Sequence, residues 1–76
     1  MTAKQINDGD VAEMNRIASK VAGSDASSDF EDIEGERRLV VRVSGERKNA
    51  RMLVCYALSD YCFYRGISPA FVVTTE

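Results

Sequence analysis

Arg47, Lys48 and Arg51 stand within five residues of one another in the stretch SGERKNAR, which reads as the opening of a helix. Unpaired backbone N–H groups at a helix start already amount to about half a positive charge. Each cation placed there costs about 0.3–1 kcal/mol. Arg47 and Arg51 are also a like-charged i, i+4 pair, and only Glu46 offsets them locally. An anion beside this turn relieves the conflict. Its chemistry is phosphate or carboxylate, and the carboxylate can come from the chain itself. Residues 25–36 hold six carboxylates in twelve positions, among them Asp29, Glu31, Asp32, Glu34 and Glu36.

The remaining chemistry is quickly bounded. The chain has no histidine to exchange protons near neutral pH, no glycine-rich phosphate loop and no Cys/His pair. Its carboxylates crowd one predicted hairpin, which offers little concavity in which to perturb a pKa. These features point away from catalysis. Cys55 and Cys62 fall seven residues apart in a predicted helix. At about 1.5 Å rise per residue they stand about 10 Å apart, too far for a disulfide, which needs about 7 Å or less between Cα atoms. Two thiols without histidine make a poor zinc site, so no metal or cofactor is expected. Free thiols fit a reducing compartment, and residues 1–14 lack the apolar core of a signal peptide, so the expected location is cytoplasmic. No apolar run is long enough to span a bilayer, and no membrane association is expected.

The chain has 76 residues, 45% hydrophobic and 29% charged, with a net charge of −2. That is one domain near the lower size limit for a single core. The net charge hides a division. Residues 1–36 carry nine acids against three bases, a balance of −6, and residues 37–76 carry seven bases against three acids, a balance of +4. Such asymmetry marks an interaction surface or two halves that attract each other.

The elements that position these groups follow from periodicity. Val11, Met14, Ile17, Ala18 and Val21 recur at helical spacing and predict a helix over about 8–22, capped by Asn7 or Asp8 and closed by Gly23. Thr2 with Gln5 resembles a capping box for a short earlier turn. Residues 29–33 and 37–43 predict two strands around a Glu-Gly-Glu turn. In the second, Leu39, Val41 and Val43 point one way and Arg38, Val40 and Arg42 the other. A second helix is expected over about 46–64, ended by Arg65-Gly66-Ile67 with Pro69 beyond, and a last strand over 70–75. The order α-β-β-α-β implies a right-handed crossover. The expected fold is therefore an α+β two-layer sandwich, a three-stranded mixed sheet with both helices on one face.

A helical wheel divides the second helix. Ala50, Leu53, Val54, Ala57, Leu58, Tyr61 and Tyr64 gather on one side as the expected core face. Met52, Cys55, Tyr56, Ser59, Cys62 and Phe63 lie opposite, with too little charge for a solvated face. Either the first helix covers them, or Met52, Tyr56 and Phe63 form a dimer or partner contact.

Three readings of the charge remain open. RKNAR followed by MLVCYAL resembles the basic start of the last helix in double-stranded-RNA-binding domains, which implies phosphate contacts from Arg47, Lys48 and Arg51. The family's other RNA-contacting loop carries a histidine, which this chain lacks, and its strand order differs. Alternatively the hairpin acids fold back onto Arg47 or Arg51. Or the acidic ridge occupies the basic groove of a nucleic-acid-handling protein, in the manner of small acidic inhibitors made by viruses of bacteria. The expected function is a non-enzymatic, stoichiometric inhibitor or regulator of a protein partner, acting as a homodimer. A nucleic-acid module using Arg38, Arg42, Arg47, Lys48 and Arg51 is the alternative.

Overall fold

The computed structural model describes residues 3–44 and 48–75. Helix α1 (Asp8–Ala22) is followed by strands β1 (Ser27–Ile33) and β2 (Glu36–Val43), helix α2 (Ala50–Arg65) and strand β3 (Phe71–Thr75). The sheet order is β1-β2-β3, with β1 antiparallel and β3 parallel to β2. Both helices pack on the same face, so the expected mixed three-stranded α+β architecture is the observed one.

Local chemistry sets the boundaries. At the start of α1, Asn7 Oδ1 accepts from the Asp10 N–H at 2.8 Å, and Asp10 Oδ2 accepts from the Asn7 N–H at 3.1 Å. This reciprocal box satisfies two backbone donors. The Thr2–Gln5 box expected from sequence involves Thr2, which lies outside the described residues. Lys4 instead bridges Ile67, donating its N–H to the Gly66 carbonyl at 3.1 Å and accepting from the Ser68 N–H at 2.8 Å. The connection after α1 is tied to the helix: Ala26 N–H donates to Ser19 Oγ, and Ser28 Oγ to Asn15 Oδ1, both at 2.9 Å. Glu34 and Gly35 turn the hairpin with φ of 53° and 82°, the paired positive values that match strand twist. Gly66 closes α2 at φ 68°, and Ile67 N–H reaches back to the Cys62 carbonyl at 2.8 Å.

The start of α2 departs from expectation. The helix begins at Ala50 rather than near residue 46, because Asn49 takes a left-handed conformation at φ 62°, which a right-handed helix does not accommodate. Lys48 is in a turn, and Arg51 stands in the first turn of the helix. Arg47 lies outside the described residues.

The core joins Met14, Ala18 and Ala22 of α1, Leu39, Val41 and Val43 of β2, and Ala50, Val54, Leu58 and Cys62 of α2, closed by Ile6, Ile67 and Phe71. Each large side chain buried there contributes about 1.5–3 kcal/mol. The core face of α2 also differs from the wheel. Leu53 and Tyr64 are 45% and 81% exposed, whereas Cys62 is 1% exposed. The helix is turned by about 50°, half of one residue's step, toward its Cys62 side. α2 packs on α1 as well as on the sheet, and that two-sided contact sets its rotation.

Candidate interaction surface

Four features place functional side chains: the outer face of α2, the uncovered face of the sheet, the basic end of α2, and a link between the helices.

The outer face of α2 exposes Met52, Leu53, Tyr56, Phe63 and Tyr64. Met52, Tyr56, Ser59 and Phe63 follow steps of four, three and four, so they form one stripe opposite the core. Phe63 and Tyr64 meet edge to face with ring centroids 5.5 Å apart. α1 does not cover this stripe. The charged residues of α2 are only Arg51, Asp60 and Arg65, none of them in the stripe, and the Arg65 guanidinium lies 5.7 Å from the Tyr61 ring. Met52, Tyr56 and Phe63 are thus brought together, while Leu53 and Tyr64, which the wheel assigned to the core, extend the same surface.

On the uncovered sheet face, hairpin acids meet β2 arginines. Arg42 pairs with Glu31 and, at 3.5 Å, with Asp29, and Arg38 pairs with Glu36 at 2.6 Å. Asp29 lies opposite Val40, two residues from Arg42, a diagonal cross-strand contact, whereas Glu31 lies opposite Arg38 and reaches along the same face to Arg42. Val40 is 5% exposed on this face although no helix covers it, in the central strand with Asp29 and Val72 as its register partners on either side. On the opposite, helix-bearing face Arg37 stacks on Phe30, the register partner of Leu39, at 4.0 Å. The carboxylates that sequence reading directed toward Arg47 or Arg51 are thus engaged, in part, by Arg38 and Arg42. Asp32 and Glu34 are exposed and make no ion pair among the described residues.

Lys48 and Arg51 are exposed and make no ion pair among the described residues, and Asn49 gives α2 no side-chain cap. Among the described residues this end of the domain carries Lys48 and Arg51, while Asp32 and Glu34 lie at the hairpin end of the sheet.

The link was not legible in sequence. Tyr61 Oη donates to Asp10 Oδ1 at 2.9 Å, and Asp10 is 6% exposed. One carboxylate therefore caps α1 and holds α2. Burial, then this hydrogen bond, pushes the Tyr61 hydroxyl pKa up. Burial likewise raises the Cys62 thiol, which keeps it protonated and unreactive. On α1, the hydrogen bond from Arg16 holds the Glu13 carboxyl below its ordinary value. Among the described residues no group of three or more His, Cys, Asp or Glu side chains can hold a metal ion. No helix among them is long and apolar enough to cross a membrane.

Comparison of the chain with protein-family models, curated proteins and solved structures finds no significant match, so these surfaces carry the functional argument on their own chemistry.

Proposed function

We propose that this chain is a small non-enzymatic binding protein, an inhibitor or regulator that acts by stoichiometric contact with a protein partner through the outer face of α2. The observation that carries the reading is the joint exposure of Met52, Leu53, Tyr56, Phe63 and Tyr64 on one helix. Scattered exposed apolar residues are ordinary, but a contiguous set with little charge marks an interaction surface. Aromatics and methionine are the types enriched where such contacts are centred.

The test pairs Tyr56→Asp with Phe63→Asp. Both side chains are exposed, so the variant keeps its fold and melting temperature. Loss of two aromatic anchors is expected to weaken partner binding by about thirtyfold or more. Quantitative capture of a partner by the wild type and variant, with sedimentation of each complex, reads the outcome. Unchanged binding by the variant sinks the proposal.

A second reading has its own observation. Lys48 and Arg51 are exposed and free of carboxylates among the described residues, whereas Arg38 and Arg42 are engaged. Free cations of this kind grip phosphate and make binding steeply salt-dependent. Mobility shift with duplex RNA and DNA at two salt concentrations tests it. A salt-steep shift abolished by Arg47→Glu with Arg51→Glu favours a nucleic-acid module, and no shift at low salt removes that reading.

A further inference from the structure

The two edges of the sheet are prepared differently for a further strand. β1, of sequence SSDFEDI, carries three carboxylates, Asp29, Glu31 and Asp32, and charge on an edge strand discourages pairing. β3, of sequence FVVTT, carries no charge and no proline. Its backbone is available. Leu39 N–H donates to the Ala70 carbonyl at 3.0 Å. By the alternation of a parallel ladder, residues 70, 72 and 74 then turn toward β2, and the N–H and C=O of Val73 and Thr75 turn outward.

The same pleat sends Phe71 and Val73 to the helix side, in register with Leu39 and Val41. Beside them runs a groove of about 580 Å³, lined from α2 by Arg51, Met52, Cys55 and Tyr56 and from β3 by Phe71, Val72 and Val73. Arg51 is the one charged residue of that lining, and it has no carboxylate partner among the described residues. Because β3 runs parallel to β2 and α2 starts beyond the end of β2, Arg51 lies toward the Thr75 end of the groove.

We infer that the β3 edge takes an extended segment of a protein partner as a fourth strand. The alternate side chains of that strand enter the groove, apolar ones against Met52, Cys55 and Tyr56 and a carboxylate against Arg51. Main-chain hydrogen bonds to Val73 and Thr75 supply affinity, and the groove supplies selectivity. The inference rests on α2 being the contact element and specifies the partner's chemistry, an extended apolar–acidic segment. A second copy is a poor occupant. α2 packs over β3 rather than β2, and pairing two β3 edges about 4.8 Å apart would bring the two α2 axes inside the 8–10 Å that packed helices need.

The experiment selects random heptapeptides on the immobilised full chain and titrates the enriched sequences against four proteins. These are the wild type, Val73→Pro, Arg51→Glu and the Tyr56→Asp, Phe63→Asp pair. Proline at 73 removes an outward N–H that β2 does not use, a substitution edge strands tolerate. Circular dichroism melting confirms its fold, and Thr75→Pro, at an exposed position, repeats the test. Enriched peptides are expected to alternate apolar residues and to carry a carboxylate in phase with them. Val73→Pro should weaken them by about tenfold, the worth of one or two main-chain hydrogen bonds. Arg51→Glu should weaken acidic peptides and spare their amide counterparts.

Equal binding to Val73→Pro and Thr75→Pro overturns the inference, as does a selection that enriches nothing. A wild-type dimer that Val73→Pro dissociates assigns the edge to a second copy instead. Duplex nucleic acid lost on Arg51→Glu but kept by Val73→Pro assigns the cation to phosphate. Partner binding lost in the Tyr56→Asp, Phe63→Asp pair but intact in both proline variants sinks this inference alone. Binding intact in all of them sinks the wider reading as well.

Discussion

The two helices share one layer and answer to different demands. α1 shows water no large apolar side chain: its exposed positions are Asp8, Gly9, Ala12, Arg16 and Lys20. It has a capping box at its start and a left-handed glycine at its end. Asn49 gives α2 no side-chain cap, and large apolar groups occupy the outer face of that helix. Both bury a stripe against the same sheet. The difference teaches where the chain is built for folding alone and where its surface exceeds what folding requires. α1 is accounted for by stability, whereas the outer face of α2 contributes nothing to the core and still carries three aromatics, a leucine and a methionine.

Breaking the buried side of α2 should have the largest effect. Leu58 is fully buried, and Leu58→Ala should destabilise the fold by about 2–5 kcal/mol in urea titration. In so small a domain that is enough to populate the unfolded state.

Next comes the bond between the helices. Asp10→Ala strands the Asn7 N–H and the Tyr61 hydroxyl, at an expected cost of about 1–3 kcal/mol. Tyr61→Phe removes one partner only and should cost less, and the double variant should be non-additive. The pH dependence has a definite sign. The folded Tyr61 pKa is raised above the ordinary value of 10.0. Its contribution is therefore fully present below about pH 10, the unfolded value, and is lost as pH rises through the folded one. Melting temperature followed into alkali should show that limb in the wild type and lose it in Tyr61→Phe.

The two helix starts separate more gently. Asn7→Ala removes the cap of α1 and should cost about 1 kcal/mol in thermal melts. Asn49→Gly, at φ 62° with no cap bond to lose, should be neutral or slightly stabilising. A loss of cap stability at Asn49 as large as that at Asn7 would erase the contrast between the helices. Smallest of all, Phe63→Ser should move stability by no more than about 0.5 kcal/mol, because 79% of the residue is already in water. A larger drop would mean that the outer stripe supports the fold after all.

Much of this molecule is written in local pattern. The apolar period of α1, the alternation in β2 and the Arg65-Gly66-Ile67 stop of α2 each act over a few neighbouring residues. A reader of sequence can therefore place them. The start of α2 differs from the sequence expectation because Asn49 takes the left-handed conformation that asparagine tolerates better than most residues, and nothing in its immediate neighbours says whether it does so or continues a helix. The wheel grouped Leu53 and Tyr64 with the core because size and hydropathy do not say which way a helix is rotated. The surface stripe of Met52, Tyr56 and Phe63 was legible as a shortage of charge, whereas its joining to the β3 edge was not.

Residue order alone determined the elements, their succession and the sign of charge in each half, because those depend on neighbours in the chain. Only the tertiary structure decided which acid meets which base. The pleat puts Asp29, Glu31 and Arg42 on one face of the sheet, where both acids pair with Arg42, and Lys48 and Arg51 meet no carboxylate among the described residues. It also decided that Asp10, 51 residues from Tyr61, would be its hydrogen-bond partner. Such pairings depend on distances between segments far apart in sequence, which only packing against a shared core brings together.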